Sequence, residues 1–152
     1  DSVELYKGPS CKLFARGSTG GVVPQVSKTP EPYPINELRL TAGTNPELRG
    51  TADENYVIDE TTAFRINAVG ENSHVADRDV VRNRRWGIAP SIAFGMGTDT
   101  TLTLNYLHQY ENDIPDYGIP FLDGAPAPVR RDNFYGLRNS DHSRIQVDIG
   151  TA

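Results

Sequence analysis

Cysteine is almost absent from this chain of 152 residues, where Cys11 stands alone. A single thiol excludes an internal disulfide and any zinc site built from several cysteines. Histidine is nearly as sparse: His74, His108 and His142 lie more than thirty residues apart, with no H-x-x-x-H spacing that would write a local metal site into the chain. A basic excess is missing too. The formal charge of −5 argues against a general nucleic-acid binder, which would carry a basic face. No run of eighteen apolar residues occurs, so no helix can cross a membrane. Hydrophobic residues make up only 37% of the chain, against 14 glycines and 11 prolines, so any core is thin and turns are many.

What is present is alternation. In "RWGIAPSIAFGMG", residues 85–97, Trp86, Ile88, Ile92, Phe94 and Met96 share one parity, interrupted only by Pro90. Gly87, Ala89, Ser91, Ala93 and Gly95 fill the other. A period of two predicts a strand. One bulky apolar face against one small, nearly neutral face is unlike a soluble sandwich, whose wet face carries long polar side chains. The theme returns in "TLTLNYLHQY", where Leu102, Leu104, Tyr106 and Tyr110 alternate with Thr101, Thr103, Asn105 and Gln109. "TAFRINAVG" sets Phe64, Ile66 and Ala68 against Arg65 and Asn67, and "ELRLTAG" sets Leu38, Leu40 and Ala42 against Glu37, Arg39 and Thr41. "RIQVDIG" sets Ile145, Val147 and Ile149 against Arg144, Gln146 and Asp148. A weaker strand over residues 50–58 has Ala52, Tyr56 and Ile58 on its apolar side.

Two surroundings suit such apolar faces, a protein core or lipid. Residues 86–96 supply eleven positions, close to the roughly 9–11 that a tilted strand needs to span a bilayer and longer than the usual ~5–6. The connections at "DETT" (59–62) and "GTDT" (97–100) are tight, whereas residues 71–84 and 111–143 are long and polar. Short turns alternating with long loops are the pattern of an outer-membrane barrel. Trp86, Tyr106 and Tyr110 would then form an aromatic girdle, and His108, on a strand with no acidic partner one turn away, would be a rim or girdle residue. A soluble antiparallel β binding module is the alternative.

The opening stretch "KGPSCKLFARGSTGG" is rich in glycine and carries Lys7, Lys12 and Arg16. It lacks the G-x-x-x-x-G-K-[ST] of a phosphate loop, and no helix pattern follows it. Its glycines suit turns and close backbone contact. Taken whole, "DSVELYKGPSCKLFARGSTGGVVPQVSKTP" resembles the C-terminal part of the plug domain of TonB-dependent outer-membrane receptors. The likeness is carried by Lys7, Gly8, Pro9, Ser10, Phe14, Arg16, Gly17, Ser18, Gly20, Gly21, Ser27 and Lys28. Downstream, "TTAFRINAVGENSHVADRDVVRNRRWGIAPSIAFGMGTDTTLTLNYLHQYENDIPDYGIPF" is similar to the third to fifth barrel strands of siderophore receptors, nearest the catecholate branch.

The resemblance implies an all-β fold: the end of a plug (1–30), a linker (31–36) and the first strands of a transmembrane antiparallel barrel (37–152). About six strands are expected here, from a class with about 22, so the chain reads as a slice. The implied function is ferric siderophore uptake across the Gram-negative outer membrane, energised by TonB through an N-terminal box outside this stretch. A siderophore-sensing, signal-transducing receptor of the same fold is the second reading. No enzymatic activity and no resident cofactor are implied, since iron enters as its siderophore chelate. The expected partners are the ferric siderophore, TonB and outer-membrane lipid, with no nucleic acid.

The resemblance also puts Phe14 where some members carry a plug aromatic facing the ligand, with Arg16 close behind. The polar stretch "DRDVVRNRRW" offers Arg82 and Arg84, and "YENDIPDYGIPFLDGAPAPVRRDNFYGL" offers Tyr110, Tyr117, Arg130 and Arg131. Ferric catecholates are anionic and aromatic, so arginines and rings at a mouth are suitable contacts. Acids are interleaved throughout, among them Asp77, Asp79, Asp113, Asp116 and Asp132, and the same residues equally suit a solvated rim.

Overall fold

The structure is a computed structural model that describes residues 27–152 throughout and, before them, four short strand segments: β1 (Ser2–Val3), β2 (Tyr6–Lys7), β3 (Gly21–Val22) and β4 (Gln25–Val26). The rest are β5 (Ile35–Gly43), β6 (Glu47–Asp59), β7 (Thr62–His74), β8 (Arg82–Phe94), β9 (Leu102–Asp113), β10 (Phe121–Leu122), β11 (Ala125–Pro126) and β12 (Ser143–Thr151). Every regular element among the described residues is a strand. The first four pair antiparallel as β1 with β4 and β2 with β3. The body of the molecule is one antiparallel sheet in the order β12-β9-β8-β7-β6-β5. It is an open sheet whose edges, β5 and β12, are not paired with each other among the described residues.

All six strands expected from the alternation are present, and several run further than expected: β6 already begins at Glu47. β7 continues to His74, β8 begins at Arg82 and β9 continues to Asp113. The connection expected over 71–84 therefore shortens to 75–81, and the one over 111–143 to 114–142. Cross-strand ion pairs hold these polar ends in the ladder. Arg49 Nη1 lies 3.3 Å from Glu71, and Arg85 Nη2 lies 2.8 Å from Asp113.

Register sorts the side chains onto two faces. Leu38 and Ala52 pair, as do Tyr56 and Phe64, Phe64 and Ile92, Ile92 and Leu104, and Trp86 and Tyr110, all on one face. Asp53, Asn55, Ala63, Arg65, Ser91 and Ala93 occupy the other. Burial is the reverse of a soluble protein's. Leu38 and Leu40 are each 72% exposed, whereas Asp53 and Arg65 are each 6% exposed and Asn55 1%. No layer of described residues seals Trp86, Ile88 or Phe94, all of which remain open.

One strand departs from the expected parity. Ile145, Val147 and Ile149 pair with Glu111, Gln109 and Leu107 and so lie on the polar face, while Gln146 and Asp148 stand on the apolar face opposite Tyr110 and His108. Hydrogen bonds fix this register: Tyr106 Oη donates to Asp148 Oδ1 at 2.6 Å, and His108 Nδ1 lies 2.6 Å from the same oxygen. His108 thus has an acidic partner after all, supplied by a strand forty residues further on.

The turns at 60–61 and 95–101 share one end of the sheet, and the connections 44–46, 75–81 and 114–142 share the other. Gly95 has a φ of +74°, and a Cβ there would collide with the carbonyl of Thr100. Only glycine fits such a position. The Gly95 carbonyl accepts from the hydroxyls of Thr98 at 2.7 Å and Thr101 at 3.0 Å, closing the turn.

Candidate functional site

Two polar assemblies stand out against the plain barrel wall. The first lies on the covered face, where β6 and β7 receive the segment leading into β5. Arg65 makes a bidentate pair with Asp53, Nε and Nη2 each 2.8 Å from a carboxylate oxygen. Its remaining Nη1 donates to the Thr29 carbonyl at 2.7 Å, and Lys28 Nζ reaches Asp53 at 2.7 Å. Two residues along β6, Asn55 Nδ2 donates to the carbonyls of Glu31 and Tyr33, and its Oδ1 accepts from the Glu31 backbone N–H at 3.0 Å. Period-two spacing puts Asp53 and Asn55 on one face, and the β6–β7 register brings Arg65 opposite Asn55, diagonal to Asp53. The result is a clamp in which side chains of the wall hold the backbone of residues 29–33. A buried pair of this kind is tolerated because its donors and acceptors are satisfied.

The second assembly is a cleft at the long-loop end, about 650 Å³, lined by Asn45, His74, Arg78, Asp79, Arg130 and Arg131 among others. Its walls are tied together. Arg78 Nε donates to Asp116 at 2.9 Å and a second guanidinium nitrogen to the Arg131 carbonyl, while Asp79 N–H donates to the Asp132 carbonyl at 3.2 Å. Arg130 Nε donates to Asp132 Oδ1 at 2.9 Å. That hydrogen bond holds the Asp132 carboxyl below its ordinary pKa and raises that of Arg130. Within the connection 114–142, Tyr117 and Phe134 meet with ring centroids 6.1 Å apart. They close over Gly136, where a Cβ would be only 2.6 Å from the Phe134 ring and 2.7 Å from that of Tyr117. The cleft itself is lined by the guanidinium groups of Arg78, Arg130 and Arg131 interleaved with Asp77, Asp79 and Asp132.

No protein-family profile matches the chain. It is 41% identical over 165 aligned positions to the catecholate siderophore receptor Fiu of Escherichia coli O157:H7, covering 99% of this chain and 22% of that protein. It is 38% identical to the probable TonB-dependent receptor BfrD of Bordetella pertussis, covering 93% and 20% respectively. The crystal structure of the ferric-catecholate import receptor Fiu from E. coli K12 superimposes with a TM-score of 0.88 at 40% identity, over 97% of this chain and 23% of that one. Over nearly its whole length the chain is similar to TonB-dependent siderophore receptors. It spans about a fifth of the length of the curated relatives it matches.

Seen as part of a TonB-dependent receptor, the expected ligand residues fall into separate places. Phe14 and Arg16, with most of the expected plug segment 1–30, lie outside the described residues. Arg130 and Arg131 line the loop-end cleft, whereas Tyr117 is outside its lining and stands against Phe134. Arg84 and Tyr110 line a different hollow, on the exposed apolar face beside Trp86. Arg82 opens β8, half-buried, with its carbonyl accepting from Ile114 N–H at 2.9 Å. Arg78, an arginine of the same "DRDVVRNRRW" stretch, joins the cleft by reaching the Arg131 carbonyl, 53 residues further on, and His74 joins it without having been expected there. The clamp had no sequence signal beyond parity.

Proposed function

We propose that this chain supplies the end of the plug and the first wall strands of an outer-membrane receptor that imports a ferric siderophore of the catecholate class, driven by TonB. The observation carrying this reading is the inverted burial of a sheet whose backbone follows that of the Fiu receptor: apolar residues exposed on one face, an ion-paired network covered on the other. An apolar face of this breadth suits acyl chains, and the polar face suits a plugged lumen. A soluble module would have to cover that apolar face, and no described residue does so. The segment 1–30 would be plug and 31–36 the linker, with the clamp on Thr29, Glu31 and Tyr33 fixing the start of the wall while the preceding plug moves. The receptor would sit in the Gram-negative outer membrane, with iron arriving inside its chelator.

Ligand contact is assigned to the cleft, through Arg130 and Arg131, and to the Tyr117 ring of the same connection, with Phe14 and Arg16 approaching from the plug. Guanidinium groups and rings match an anionic aromatic chelate. The test is uptake of radiolabelled ferric catecholate by cells whose only such receptor contains this chain. Uptake should require TonB, and Arg130→Gln with Arg131→Gln should weaken binding about tenfold or more, the size of one lost charge-assisted hydrogen bond. Uptake that persists without TonB, or binding untouched by the double variant, would overturn the transport reading or the ligand assignment respectively.

A further inference from the structure

At the loop end of the exposed apolar face the wall is hollowed. Gly50 pairs with Gly70 and Gly70 with Trp86, so two adjacent strands lack a side chain in the same row. Leu40 and Leu48 bound the hollow on one side, Trp86 and Tyr110 on the other with ring centroids 6.5 Å apart, enclosing about 540 Å³. One row nearer the loops, on the same face, stand Arg84, paired with Asn72, and Arg144, paired with Asn112. Neither guanidinium forms an ion pair among the described residues. The carboxylates of these rows, Glu71, Glu111 and Asp113, have the opposite parity and are occupied by Arg49 and Arg85. In these rows charge is thereby segregated: anions are paired on the covered face, and cations are left unpaired above an apolar groove, while Asp148 on the apolar face stands further from the loops and is held by Tyr106 and His108.

That arrangement has the order of a lipid. Trp and Tyr mark the boundary between acyl chains and water, an arginine just beyond that boundary meets headgroup phosphate, and a guanidinium fork takes phosphate oxygens two at a time. We infer that this hollow is a binding site for a phosphate-bearing lipid of the outer leaflet. One acyl chain lies over Gly50 and Gly70, and the phosphate is held by Arg84 and Arg144. The inference rests on the apolar face being the lipid-facing one.

The test uses the whole receptor, reconstituted in nanodiscs of phosphatidylcholine doped with lipid A, with retained lipid A counted by native mass spectrometry. Arg84→Gln with Arg144→Gln should cut retention about tenfold, and lipid A stripped of its phosphates should be retained as weakly by the unaltered receptor. Gly70→Leu should also cut retention, since a Cβ at Gly70 meets nothing within 4 Å and the new side chain fills the groove without disturbing the wall. Equal retention by the unaltered receptor and both variants, or indifference to the phosphates, overturns the site. A receptor that does not enter nanodiscs overturns the lipid-facing reading itself, so the two failures are distinct.

Discussion

At Asp53 one carboxylate serves two cations, Arg65 and Lys28, and its side chain is almost fully covered. Replacing it with Asn removes the charge that compensates a buried guanidinium, and breaking such a pair costs about 3–5 kcal/mol. Asp53→Asn should therefore lower the urea midpoint of the receptor markedly, and an unchanged midpoint would show that the cluster is solvated. Asn55→Ala should cost less, about 1–3 kcal/mol, because the groups left bare are the neutral backbone of Glu31 and Tyr33. None of this could be read from the chain. Asp53, Arg65 and Thr29 are as much as 36 positions apart, and no local pattern announces that they meet.

The strands were far more legible. Period-two alternation identified all six, because a sheet with one apolar face places an apolar residue at every second position whatever the other face carries. Their ends were obscured because Glu71, Arg85 and Asp113 look like loop residues until their cross-strand partners are known. β12 misled for a related reason. Its isoleucines alternate cleanly, but alternation does not say which face is which, and pairing with β9 decides it. The small β10–β11 hairpin had a readable signal in Asp123-Gly124, whose positive φ values of 52° and 79° suit a two-residue turn. Turn chemistry also yields a paired test. Gly95 and Gly97 share a φ of +74°, but a Cβ at Gly97 meets nothing while one at Gly95 meets Thr100. Gly97→Ala should lose only the backbone strain, about 1–2 kcal/mol, and Gly95→Ala clearly more. Equal losses in urea unfolding would mean that the turn relaxes around the added methyl.

At the scale of the whole molecule, the sheet has two unpaired edges and one broad apolar surface, and both are liabilities in water. The isolated chain should sediment as an aggregate in buffer and disperse in detergent micelles, and a stable monomer in plain buffer would count against the barrel-wall reading. The same exposed surface carries Trp86, the chain's sole indole, 46% accessible beside His108 and Tyr110. Its emission is therefore an optical gauge built into the wall: brominated acyl chains would extinguish it when strand β8 is seated in a bilayer, and an aqueous quencher such as iodide when it is not.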